Sequence, residues 1–141
     1  MLDLYALVYV STATPLADVA EIEDLLDRAQ VRNARTGLTG VLLFDGGNFM
    51  QYVEGPADEL GRVFAAIKRS HLHTGVIELL REPIHRREFP EWSMAFRSVN
   101  AFGMSHPAPQ GDLLAPATES GSAARTILGK FWNRSRTAHA F

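Results

Sequence analysis

A chain of 141 residues with 46% hydrophobic and 21% charged side chains suits one globular domain burying about two thirds of its unfolded surface, which excludes disorder and stapled mini-proteins. It has no cysteine, so disulfides, thiolate metal sites and cysteine nucleophiles are excluded and a cytoplasmic location is expected. The formal charge of −2 is too near balance for a protein that grips phosphate backbones, and the start, Met-Leu-Asp-Leu-Tyr, is not an export signal, so neither a direct nucleic-acid partner nor a membrane is expected.

Leu4 to Val10 is apolar on both faces, with Tyr5, Leu7 and Tyr9 on one and Leu4, Ala6, Val8 and Val10 on the other, which predicts a central strand covered on two sides. Thr14-Pro15, and Asp18 followed by Glu21, signal a helix start, and Val19, Ile22, Leu25, Leu26 and Ala29 then recur at helical spacing. That helix is predicted to end near Asn33, before Gly37. Leu38 to Phe44 reads as a second strand and Asp45-Gly46-Gly47-Asn48 as a tight hairpin turn. Gly47 to Gly55 is the third strand, stopped by Gly55-Pro56, with Pro56 expected at the first position of a second helix whose stripe is Leu60, Val63, Phe64 and Ile67. Val76 to Leu80 reads as a fourth strand and Glu91 to Phe96 as a short fifth, with Trp92, Met94 and Phe96 on one face.

The order predicts an α+β, ferredoxin-like βαββαββ sandwich: a mixed five-stranded sheet with two helices on one face and a C-terminal helical extension on the other. The domains are read as residues 1–100, a linker over 101–121 rich in Pro, Ala, Gly and Ser, and the extension over 122–141. Residues 1–100 carry 10 basic and 14 acidic side chains and residues 101–141 carry 4 and 2, a contrast too small for a nucleic-acid arm. In the extension, Ala124, Ile127, Leu128, Phe131 and Trp132 share one side of a helix, and Val8, Val10, Met50 and Tyr52 form a sheet face that the first two helices do not cover, so the extension is expected to dock there or on a neighbouring subunit.

Gln51 is the polar oddity of the third strand, since a buried amide is costly unless its donors and acceptor are met. Period-two spacing puts Tyr9, Gln51, Leu7, Phe49 and Val53 toward the two helices, where a phenol beside an amide under an apolar slot would suit a flat ligand with polar edges. A purely structural tyrosine–glutamine pair remains equally open on this argument. Catalytic signals are absent: Ser11, Thr36 and Thr39 lie in no nucleophile motif, His71, His73 and His85 lack ligands at metal spacing, and Glu54 reads as a strand-end surface charge.

Tyr9-Val-Ser11, Arg32-Asn-Ala-Arg-Thr-Gly-Leu-Thr-Gly40, Phe49-Met-Gln-Tyr-Val-Glu-Gly55 and Arg87-Glu-Phe-Pro-Glu-Trp-Ser-Met94, in this order and spacing, resemble the BLUF family of FAD-dependent blue-light sensors. The resemblance covers Leu4 to about Asn100 and implies that the isoalloxazine lies between the two helices. It further implies that Tyr9 gives an electron and a proton to the photoexcited flavin, and that Gln51, lying between them, rearranges its hydrogen bonds by rotation or tautomerisation. By the same resemblance Asn33, Arg32, Leu25 and Ile67 would help bind the flavin, and Trp92 and Met94 would pass the change to the last strand. Many members of that family place an Asn or His where Arg32 stands, and some carry Arg and Asp at the positions of Ala66 and Ser70. The function implied is a non-enzymatic FAD photoreceptor, expected as a homo-oligomer that signals through an unidentified downstream protein. The alternative is a flavin-free ferredoxin-like interaction domain without photochemistry.

Overall fold

The computed structural model describes residues 3–45, 47–91, 93–98 and 123–138. Its elements run β1 (Leu4–Ala13), α1 (Val19–Thr36), β2 (Thr39–Phe44), β3 (Asn48–Pro56), α2 (Ala57–Arg69), β4 (His73–Ile84), β5 (Ala95–Ser98) and α3 (Ala123–Ala138). The sheet order is β4-β1-β3-β2-β5, antiparallel except where β5 joins β2 in parallel. This is the mixed ferredoxin-like sheet expected from the element order, with β1 and β3 at its centre.

Both faces of β1 are buried, as its two apolar faces require. Leu7 and Tyr9 pack with Leu60, Val63, Phe64 and Ile67 of α2, while Ala6 and Val8 pack in a cluster with Ala124 and Leu128 of α3. Ile22, Leu26 and Ala29 of α1 sit with Leu42, Phe44, Phe49 and Phe96, on the α2 side of the sheet. Each fully buried Leu or Phe contributes about 1.5–3 kcal/mol relative to exposure, so the two-sided cover of the central strands is where the fold gains most.

The helix ends follow local chemistry. Asp18 caps α1 by accepting from the Glu21 N–H at 2.8 Å, and the helix runs past Asn33 to Thr36 because the cap needs a left-handed residue. Gly37, at φ 77°, supplies it and donates its N–H to the Asn33 carbonyl at 2.9 Å. Gly55 is the second constrained glycine: at φ 152°, a Cβ there would lie 2.6 Å from the Leu38 side chain. In the β2–β3 turn the Asp45 carboxylate accepts from the N–H groups of Gly47 at 2.9 Å and Asn48 at 2.6 Å; Gly46 lies outside the described residues.

Three boundaries depart from the sequence reading. Pro56 closes β3 and serves as the N-cap of α2 rather than its first helical residue. β4 runs from His73 to Ile84, not Val76 to Leu80, because it is an edge strand with much of its length exposed and two irregularities against β1 that break the period-two signal. β5 starts at Ala95, not Glu91: the Ser93 and Met94 carbonyls accept from the side chains of Asn33 and Gln30 before the ladder to β2 begins. The 101–121 stretch and Trp92 lie outside the described residues, as does the side chain of Trp132.

α3 docks on its own chain. Ala124 is 1% and Leu128 0% exposed, with Ile127 and Phe131 half-buried around them. Truncating Leu128 removes contacts at the centre of that face, so Leu128→Ala is expected to cost about 2–5 kcal/mol, read as a shifted denaturation midpoint with unchanged slope. Stability equal to the parent chain would mean that α3 does not cover the sheet.

Candidate functional site

β1 and β3 place Tyr9 opposite Gln51 in register, with both side chains on the face that carries α1 and α2. The Tyr9 hydroxyl donates to Gln51 Oε1 at 2.6 Å, and both residues are buried. Gln51 Nε2 in turn donates to the thioether sulfur of Met94 at 3.4 Å. A thioether is a weak acceptor, so a buried amide nitrogen with two hydrogens is only partly met among the described residues.

This polar chain lies at a seam. The apolar cluster under α2 contains no α1 residue, and the cluster under α1 contains none from α2; Tyr9 belongs to the first, Phe49 and Met94 to the second. Each helix therefore seats on its own half of the sheet. Ile67 is buried in the α2 cluster and Leu25 is half-buried against the α1 cluster.

Asn33 completes the buried stripe of Ile22, Leu26 and Ala29 at the last turn of α1. Its Nδ2 donates to the Ser93 carbonyl at 2.6 Å and its Oδ1 accepts from Arg32 Nε at 3.2 Å, while Gln30 Nε2 donates to the Met94 carbonyl at 3.1 Å. The end of α1 thus grips the backbone on either side of the residue that touches Gln51. Arg32 lies close enough to oppose slightly the effect of burial on Tyr9. Burial dominates and raises the phenol well above its ordinary range, which keeps the proton on Tyr9 at neutral pH.

Two features were not legible beforehand. Ser11 Oγ and His73 Nδ1 are 2.7 Å apart and buried, with the imidazole edge-on to Tyr9 at 6.0 Å and 4.7 Å from the Phe49 ring centroid. The pair forms because β1 reaches Ala13 and β4 starts at His73, a register no local motif announces. Glu54 is not a surface charge: it is 0% exposed. Its Oε1 accepts from the Tyr52 hydroxyl at 2.6 Å and the Glu88 N–H at 2.7 Å, its Oε2 from the Thr39 hydroxyl at 2.9 Å and the Phe89 N–H at 2.8 Å. Three of the four donors arrive from β2 and from the segment after β4, which is why β3 alone does not reveal the burial of Glu54.

The family model for BLUF, sensors of blue-light using FAD, matches residues 4–95. The photoactivated adenylate cyclase subunit beta of Euglena longa is 30% identical over 126 residues, 89% of this chain and 14% of that one. The blue light- and temperature-regulated antirepressor BluF of Escherichia coli (strain K12) is 33% identical over 91 residues, 64% of this chain and 23% of that one. This chain therefore spans less than a quarter of either relative. Among solved structures, the dark state of BlrB, a BLUF protein, superposes with a TM-score of 0.71 at 31% identity, covering 97% of this chain and 98% of its own. No helix among the described residues is long and apolar enough to cross a membrane.

Burial lowers the His73 pKa from 6.5 to about 4, so the folded protein holds a neutral imidazole that the unfolded chain would protonate. The resulting stability is full above the unfolded value and is lost as pH falls from about 6.5 toward about 4. Denaturant titrations across that window are expected to show a shallower loss in His73→Gln than in the parent chain. Parallel pH profiles would contradict a buried neutral imidazole.

Proposed function

The chain belongs to the BLUF family, the sensors of blue light using FAD, and we propose that it is a non-enzymatic blue-light photoreceptor in which the Tyr9–Gln51 pair is the switch. The observation that carries this reading is the Tyr9–Gln51–Met94 chain, buried at a seam between two apolar clusters with its amide nitrogen on a weak acceptor. A half-satisfied amide is what a flat ligand with polar edges can complete. Gln51 and Tyr9 would meet the polar edge of FAD, Asn33 and Arg32 would hold it from the end of α1, and Leu25 and Ile67 would line it from the two helices.

FAD, bound non-covalently, would supply the blue absorption and, when excited, an acceptor for one electron and one proton from the Tyr9 phenol. The chain's residues do the rest. The raised pKa of Tyr9 ties loss of its proton to loss of the electron, since a buried phenolate is disfavoured. Tyr9 would take back both the electron and the proton, so nothing is consumed. What persists is the arrangement of the Gln51 amide, which can exchange donor for acceptor at nearly constant volume. Met94 then meets a different polar atom, and with Trp92 it carries the change to β5.

The output we assign is a changed protein contact with an unidentified signalling partner, from a cytoplasmic homo-oligomer. Ile77 and Leu79, 58% and 44% exposed on the edge strand β4, support an association surface.

Protein expressed with added flavin is expected to be yellow and to release FAD on denaturation; colourless protein would overturn the reading in favour of a flavin-free interaction domain. Tyr9→Phe and Gln51→Leu keep most of the buried volume, so each is expected to retain FAD and to lose the light-induced red shift. A parental red shift with parental recovery in either variant would assign the switch to other residues.

A further inference from the structure

Glu54 is a fully buried carboxylate with no ion pair among the described residues, held by four hydrogen bonds that use the acceptor capacity of both oxygens. Arg87 stands one step back: its guanidinium donates to the Thr39 hydroxyl at 3.0 Å, the Glu54 carbonyl at 3.3 Å and the Gly37 carbonyl at 2.6 Å. So complete a hydrogen-bond shell around a buried carboxyl group marks a position where a particular geometry is held.

What it holds is the chain between β4 and β5. Glu88 and Phe89 are pinned by their N–H groups, and the Phe89 ring lies edge-on to Tyr52 at 5.2 Å, in the apolar cluster that also contains Ala124 and Leu128 of α3. Five residues later the same chain has crossed to the other face, where Met94 accepts from Gln51 and packs in the α1 cluster. A short strap therefore joins the Gln51 side of the sheet to the α3 side, and Glu54 anchors one end.

We propose that Glu54 is a positioning residue for signal output: by fixing Glu88 and Phe89 it makes a displacement of Met94 move the Tyr52–Phe89 contact, and with it α3. This rests on the photoreceptor reading above. Without the anchor, movement at Met94 would be absorbed within the strap. Each Glu54 oxygen takes one hydroxyl and one backbone N–H, so Glu54→Gln, whichever way its amide faces, leaves one backbone N–H facing an NH2 group. Neither Tyr9 nor Gln51 is touched by that change.

The test compares full-length, FAD-loaded protein in the dark and under continuous blue light, following flavin absorption and amide exchange over residues 123–131. In the parent chain a red shift and a change in α3 exchange of about fivefold or more are expected, as for an ordinary coupling between sites. Glu54→Gln is expected to keep the red shift and the dark protection of α3, with its light-to-dark exchange ratio falling close to one. A parental α3 response in Glu54→Gln overturns the proposal, as does a parent chain that shifts without any α3 response. A parent chain with no red shift defeats the photoreceptor reading instead. Should Glu54→Gln not fold, Glu54→Asp keeps a carboxyl group but draws it back by one methylene from the Glu88 and Phe89 N–H groups. It is expected to weaken the α3 response while retaining the red shift, and an undiminished response overturns the proposal equally.

Discussion

The hydrogen bond from the Tyr9 hydroxyl to Gln51 Oε1 depends on the register of the two central strands, and the rest of the molecule is arranged around that register. A slip of one residue between β1 and β3 would turn a whole side-chain set to the opposite face. Such a slip would bury Met50 and Tyr52 under α1 and α2 and carry Gln51 to the α3 side. Apolar cover on both faces makes this prohibitive, because Leu7 and Val53 fit beneath α2 while Val8 and Tyr52 fit beneath α3.

The site therefore gains its precision from the core. Tyr9 is braced by Phe64 at 5.9 Å and by His73, Gln51 reaches Met94, and the chain that bears Met94 is held by Asn33 and Gln30 at the end of α1. Rigid strands hold the phenol and the amide, while the thioether sits just before the chain enters the ladder to β2. A change in amide orientation would thus meet little resistance at Met94 and much at Tyr9. The proposed path toward α3 would then run through backbone that Glu54 holds from the opposite face.

Much of this was legible in the sequence because alternation is a local signal. The two faces of Leu4 to Val10 and of Phe49 to Val53 could be assigned residue by residue, and so could the stripe of Ala124 and Leu128 that covers one of them. Contacts set by long-range register were not legible. Glu54 looked like a surface charge since its four donors come from Thr39, Tyr52, Glu88 and Phe89, of which only Tyr52 lies on its own strand. Ser11 and His73 meet across 62 positions, and more than half of β4 went unread because an edge strand need not alternate. The roles given to Arg32 and Asn33 came from family resemblance, whereas the geometry adds their mutual hydrogen bond and the Asn33 grip on Ser93.

The central claim is that light changes the hydrogen bonding of the Gln51 amide. The most direct measurement is a light-minus-dark infrared difference spectrum of FAD-loaded protein carrying isotope-labelled glutamine. The account predicts an isotope-sensitive side-chain carbonyl band that shifts together with the flavin red shift and recovers with it. A full red shift with no isotope-sensitive glutamine band would contradict it.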